Sequence, residues 1–238
     1  MKHCILMSAY KDLSSINNFI KATPEGWGIF VHIDKKSSIL TEQVDSRAVV
    51  IKKYNVYWGS FLHVVAFKDL MRLAFDHGDY DFFHLVTGQD FYCMNPMNFD
   101  NVLSPEKIYM MTKPFPVSDW DFWENGYAMF KYKTLARFCD VRMKYNFFGG
   151  MLNKFLCFCQ KNKKKEKFLP SGFTFAGGIL YSSFPRYAVE YILENENSAL
   201  LEKKLWNSLC GEEVYFQTLF LSSPYKENIV NDNLRFMN

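Results

Sequence analysis

Apolar residues arrive along this chain in short blocks separated by polar turns. Residues 4–7 form an apolar run at the head of the chain, suited to a first parallel strand. After a polar stretch, Leu13, Ile16, Phe19 and Ile20 recur at helical spacing, and Pro24-Glu25-Gly26 ends that helix. A second apolar run, residues 28–33, stops at Asp34-Lys35-Lys36-Ser37, and residues 48–51 read as a third short strand. Ser60 is placed to cap a long helix carrying Leu62, Val65, Ala66, Leu70, Leu73 and Ala74, closed by His77-Gly78-Asp79. The run at 82–86 is short and apolar throughout, as a strand buried on both faces of a mostly parallel sheet would be. It is broken by Thr87-Gly88-Gln89-Asp90. Ligands of open α/β sheets bind beyond the carboxyl ends of the strands, so Asp90 is expected within reach of one.

The second half is less regular. A short helix is expected at 97–103 and a strand at 107–111, followed by an irregular aromatic loop at 112–130. Helices are expected at 132–145 and 150–160, and strand character returns at 171–182 around Gly177-Gly178. Pro185 suits the first position of a helix running to Leu193, and 199–210 and 212–221 read as further helices. Strands alternating with helices give an α/β class with a central, mostly parallel sheet flanked by helices. The expected organisation is one domain over 1–238, with a donor half at about 1–111 and an acceptor half at about 112–238.

Composition narrows this picture. A chain of 238 residues, 49% hydrophobic, has ample core for such a domain. The net charge of +3 is too small to argue for a nucleic-acid partner. The opening MKHCILMSAYKD is too short for a signal peptide, and no segment reaches spanning length, so a cytoplasmic protein with reduced, mostly buried thiols is expected. Among the six cysteines only Cys157 and Cys159 are close, and no His cluster accompanies them, which argues against zinc. The basic run at 161–167, KNKKKEK, follows an apolar stretch. Peripheral contact with an anionic membrane at its inner face is one reading. A core helix followed by a solvated loop is the preferred one.

Candidate chemistry concentrates in four places. His32-Ile33-Asp34-Lys35-Lys36 sets a carboxylate and two cations at a strand's carboxyl end, where Asp34 can accept a pyrimidine N–H and the lysines can meet phosphate; taken alone, the stretch is better explained as an ordinary solvated loop. Asp79-Tyr80-Asp81 and Asp119-Trp120-Asp121 are carboxylate triplets of the kind that hold a hard cation, but neither directly follows a buried strand. They are read as structural or acceptor-side residues, with a metal-dependent site at Asp119 and Asp121 as the weaker option. Gly211-Glu212-Glu213 puts two acids in the first turn of an aromatic helix, where they complement the helix dipole. Partial desolvation there would also raise a carboxylate's proton affinity toward that of a general base. The loop rings, Trp120 and Trp123 among them, suit stacking on an acceptor sugar.

In order, AY near residue 10, VHIDKKS, VYWGS, FHLVTGQDFY, GEEVYFQTL and NDNLRF resemble the core-2/I-branching β-1,6-N-acetylglucosaminyltransferase family, which includes peptide O-xylosyltransferases and many bacterial members. The resemblance implies a GT-A-like, Rossmann-type nucleotide-binding fold. It also implies inverting transfer from a UDP-sugar to a glycan or lipid-linked glycan, with no metal and no cofactor beyond the donor. It gives Asp34 and Lys35 to the uridine side of the donor, with Trp58, Gly59, Gly88 and Asp90 completing the donor pocket. Glu213 becomes the catalytic base, with Glu212 beside it on the acceptor side. Relatives continue past the segment matching Leu234-Arg235-Phe236 into a tail that carries two diphosphate-binding cations. This sequence stops at Asn238, which leaves three readings open: a truncated chain, a donor site rebuilt with Lys35, Lys36 and Arg235 as substitutes, or impaired activity. Gly177-Gly178 stands where relatives carry Gly-Ser, which puts the acceptor pocket in question.

Overall fold

A computed structural model describes residues 1–161 and 170–236, without the side chains of 121–123. In chain order the strands and helices begin with β1 (His3–Ala9), α1 (Leu13–Ala22), β2 (Gly28–Ile33), β3 (Val49–Ile51), α2 (Leu62–His77) and β4 (Phe82–Thr87). They continue with β5 (Ile108–Tyr109), β6 (Lys113–Pro114), α3 (Ala128–Lys131), α4 (Phe147–Gln160), β7 (Ala176–Gly177) and β8 (Ser183–Pro185). The chain closes with α5 (Arg186–Glu194), α6 (Glu196–Leu205), α7 (Glu212–Leu221) and β9 (Ile229–Val230). The main sheet has seven strands in the order β3-β2-β1-β4-β8-β5-β9. β1 pairs in parallel with both β2 and β4, β2 with β3, and β5 with β9; β8 alone runs against its neighbours.

Alternation along the strands explains the two layers. Cys4, Leu6, Phe30, Phe83 and Leu85 face a large core shared with α2, α5, α6 and α7. Ile5, Met7, Ile29, Val31 and Val86 face a smaller core under α1, whose Ile16, Phe19 and Ile20 are the helical stripe. The sheet is therefore covered on both sides, as its continuous apolar strands require. This is a GT-A-like α/β arrangement.

Three expectations change. Residues 132–145 are turns, not a helix. Their first N–H groups bond to other elements: Lys133 donates to Gln160 Oε1 at 3.1 Å, Thr134 to the Asn207 carbonyl at 2.7 Å, and Leu135 to Asn153 Oδ1 at 2.9 Å. The helix expected at 199–210 starts and ends earlier, as α6, because Cys210 takes a positive φ and donates to the Gly59 carbonyl at 2.8 Å. The thiols are not mostly buried: Cys4 and Cys210 are, whereas Cys93 and Cys159 are exposed. The basic residues at 162–167 lie outside the described residues.

Candidate active site

The strand order turns back between β1 and β4: β2 and β3 lie on one side of β1, and the chain then crosses to the other. Carboxyl ends that diverge this way leave a crevice. A cleft of about 540 Å³ opens there, lined by Ser8 and Ala9 from the end of β1, Asp34 after β2, and Thr87, Gly88 and Gln89 after β4. Its other wall comes from the second half, through Asp140, Arg142, Tyr181, Glu212 and Glu213.

Each wall has a local reason. Asp34 is buried, its backbone N–H donating to the Ala9 carbonyl at 2.8 Å. Its carboxylate accepts from the Lys36 ammonium at 2.7 and 2.9 Å and from the Lys36 backbone N–H at 2.8 Å. A carboxylate has about four lone-pair sites, so this arrangement leaves one free for a ligand. Gly88 is pinned to β1 by donating to the Ser8 carbonyl at 3.1 Å. Gly59 has φ +66°, a left-handed conformation that disfavours side chains, and a Cβ there would also meet Leu209 Cδ1 at 2.5 Å. The Trp58-Gly59-Ser60 turn is thereby locked to the segment that leads into α7, and it ties the two walls together.

Cations reach the cleft on aromatic faces. The Lys36 ammonium lies 4.3 Å from the centre of the Tyr57 ring. The Arg142 guanidinium lies 5.0 Å from the Trp58 ring and 4.4 Å from that of Tyr145. Arg142 also forks onto Asp140, at 3.0 and 2.6 Å. Lys11 lines the same space. The His63 imidazole is lowered to about 4, mainly by burial, and enters the cleft neutral.

Glu212 and Glu213 open α7 beneath these groups. Acids in a helix's first turn are ordinarily held ionised by the dipole, but burial overrides that here. It pushes Glu213 up to about 7, and Glu212, buried beside the Glu213 carboxylate, up to about 8. Glu212 Oε2 is buried without a hydrogen-bond partner. The Glu213 carbonyl accepts from the Gly178 N–H at 2.8 Å, and a Cβ on Gly178 would fall onto the Met111 carbonyl oxygen. Gly178 is thus a place of close backbone approach.

Of the residues singled out in the sequence, Asp34, Trp58, Gly59, Gly88, Glu212 and Glu213 meet in this one cleft. Lys35 is exposed, and its neighbour Lys36 takes the place expected for it. Asp90 turns back to cap its own strand, accepting from the Thr87 N–H at 2.8 Å and hydroxyl at 3.0 Å, and it lines an adjoining apolar cavity of about 590 Å³. Arg235 lines that second cavity too, donating to the Leu85 carbonyl at 3.2 Å. Trp120 packs against Gly177 in the β6–β7 ribbon. The side chain of Trp123 lies outside the described residues. Asp119 is exposed and paired with Lys113 at 2.8 Å. Asp81 accepts from the Lys2 N–H at 2.6 Å, and Asp79 pairs with Arg186 at 3.4 Å. Sequence reasoning missed Lys11, His63, Asp140, Arg142 and Tyr181. The Asp140-x-Arg142 spacing was the one available signal, and it was absorbed into a helix that does not form.

No curated protein matches the chain. Residues 131–238, which carry Arg142, Tyr181, Glu212 and Glu213, match the family model described as Core-2/I-Branching enzyme, and in this part the chain is similar to that glycosyltransferase family.

Proposed function

We propose that the protein is an inverting, metal-independent glycosyltransferase that moves a sugar, N-acetylglucosamine or a close relative, from a UDP-sugar to a hydroxyl of a surface-glycan acceptor. The observation that carries this reading is the pairing of two desolvated acids with cations in one cleft at the sheet's switch point: Glu212 and Glu213 on one wall, Asp34, Lys36 and Arg142 around it. Asp34 accepts the uracil N–H. Lys36, Lys11 and Arg142 face the diphosphate, whose leaving charge must be balanced in the transition state. The Glu213 carboxylate takes the proton of the acceptor hydroxyl as its oxygen bonds to the anomeric carbon. The bond from that carbon to the phosphate oxygen breaks, and UDP departs with the electron pair. A base near 7 is matched to that task at neutral pH. Glu212, more deeply buried, holds a proton over more of the range and keeps a second negative charge out of the site.

Glu213→Gln tests the assignment. Transfer from a panel of UDP-sugars is expected to fall by about 10²–10⁴-fold with UDP binding retained. Full transfer by the variant would remove Glu213 from the role. Binding of UDP without turnover by the wild-type chain would favour a nucleotide- or glycan-binding protein that keeps the fold.

A further inference from the structure

The helix α4 is built inside out. Its polar side chains face the protein: Asn153 accepts from the Leu135 N–H, and Gln160 both accepts from Lys133 N–H at 3.1 Å and donates to its carbonyl at 3.0 Å. Its apolar side chains face outward. Phe147, Phe148, Met151, Leu152, Phe155 and Phe158 are all exposed, Phe148 at 76%, Phe155 at 64% and Phe158 at 73%. At 100° per residue these six cover an arc of about 140° on one side of the helix. The expected core helix is therefore not a core helix, and an uncovered apolar face of this size marks a docking surface.

Charge identifies the partner. From Tyr132 to Lys161 the sequence holds one acid, Asp140, against six cations: Lys133, Arg137, Arg142, Lys144, Lys154 and Lys161. Asp140 is already paired with Arg142. Lys154 and Lys161 are exposed and flank the apolar arc on one edge, and Lys144 and Tyr145 are exposed just before the helix begins. Two copies of such a face would bring like charges together, which disfavours self-association. A phenylalanine-rich face edged by lysines suits an interface that is apolar within and anionic at its surface.

We infer that α4 lies in the plane of an anionic lipid bilayer, with its Phe face in the acyl boundary and its lysines among the headgroups. Among the described residues no helix is long and apolar enough to cross a membrane, so the contact is peripheral. The face adjoins the cleft: Tyr145 carries the Arg142 guanidinium that also lies over Trp58. Docking would set the cleft mouth beside the lipid surface. The inference does not depend on the chemistry in the cleft, and residues 162–167 form no part of the proposed surface.

The test is sedimentation of the full chain with phosphatidylcholine vesicles, with and without phosphatidylglycerol. The wild-type protein is expected to bind the anionic vesicles, less so at high salt, and not the neutral ones. The combined variant Phe148→Ser, Phe155→Ser and Phe158→Ser should weaken binding at least about tenfold with an unchanged circular dichroism spectrum. Lys154→Glu, a change at an exposed position that spares the fold, should weaken it as well. Absence of wild-type binding to anionic vesicles would overturn the inference. So would equal binding by both variants, or a wild-type dimer in solution that the Phe variant abolishes.

Discussion

At the scale of single residues, the Glu212–Glu213 pair decides most. Both carboxyls sit above their ordinary value of 4.5 in the folded protein, at about 8 and about 7, because burial penalises their charge. A raised carboxyl binds its proton more tightly in the folded state than in the unfolded one. The pair's contribution to stability is therefore complete below about 4.5 and is lost as pH rises toward 8, opposite in sign to a salt-bridged acid. Glu212→Gln removes that loss. Chemical denaturation of the variant and wild type should give similar stabilities at pH 4 and a growing advantage for the variant up to pH 8. A constant difference across that range would show that Glu212 is not held up by burial. Transfer follows the other limb of the same titration. A base must be ionised, so kcat/KM should rise with pH and level off above about 7. Only the residue's chemistry was legible in the sequence. GEE at a helix start reads equally as a dipole partner, and the Glu212 oxygen buried without a partner is visible only once the wall from Tyr181 closes over it.

At the scale of elements, legibility followed the source of the hydrogen bonds. β2 and α7 matched their sequence readings: the apolar run of β2 signals a strand bonded on both sides, to β1 and β3, and α7 bonds within its own helix. Residues 132–145 carry a helical-looking pattern, yet they form turns whose first N–H groups bond to side chains of α4 and to the Asn207 carbonyl, and no local pattern records those partners. The α4 pattern was visible, but its orientation was not, since periodicity locates an apolar face without saying what covers it. Strands β6 and β9 were too short to register against their surroundings, whereas β7 falls within the stretch read as strand at 171–182. Gly178 gives this scale its test. It sits where α7 and the end of the 108–111 stretch come closest, with its N–H on the Glu213 carbonyl. Gly178→Ala drives a methyl onto the Met111 carbonyl, so it should cost about 1–3 kcal/mol in denaturant unfolding. It should lower transfer further by shifting the first turn of α7. Wild-type stability in this variant would mean that the backbone relaxes freely at that contact.

At the scale of the whole molecule, the two halves share one sheet and one core, and both also line the cleft. The first half brings β1, β2 and β4, the order that makes a crevice; the second brings α7 and the Asp140–Arg142 loop. A nucleoside diphosphate would bridge them, because Asp34 lies on one side and Arg142 on the other. Such a ligand binds the folded chain and not the unfolded one, so it must raise stability by mass action. At a hundredfold excess over its dissociation constant the gain is about 2.7 kcal/mol. For a chain of this size that corresponds to a rise of about 5–10 °C in Tm. Asp34→Asn should lose most of the discrimination of UDP over ADP, since the uracil N–H then meets a neutral amide. Arg142→Ala should weaken UDP and ADP alike, since it faces the diphosphate. The contrast between the two variants is the informative quantity: base selectivity rests on Asp34, whereas charge is shared by Arg142 with Lys11 and Lys36. Should millimolar UDP leave Tm unchanged in the wild-type chain, the cleft does not hold a nucleotide. In that case the Lys36–Asp34 and Arg142–Asp140 pairs within it are local struts, each holding the loop that carries it.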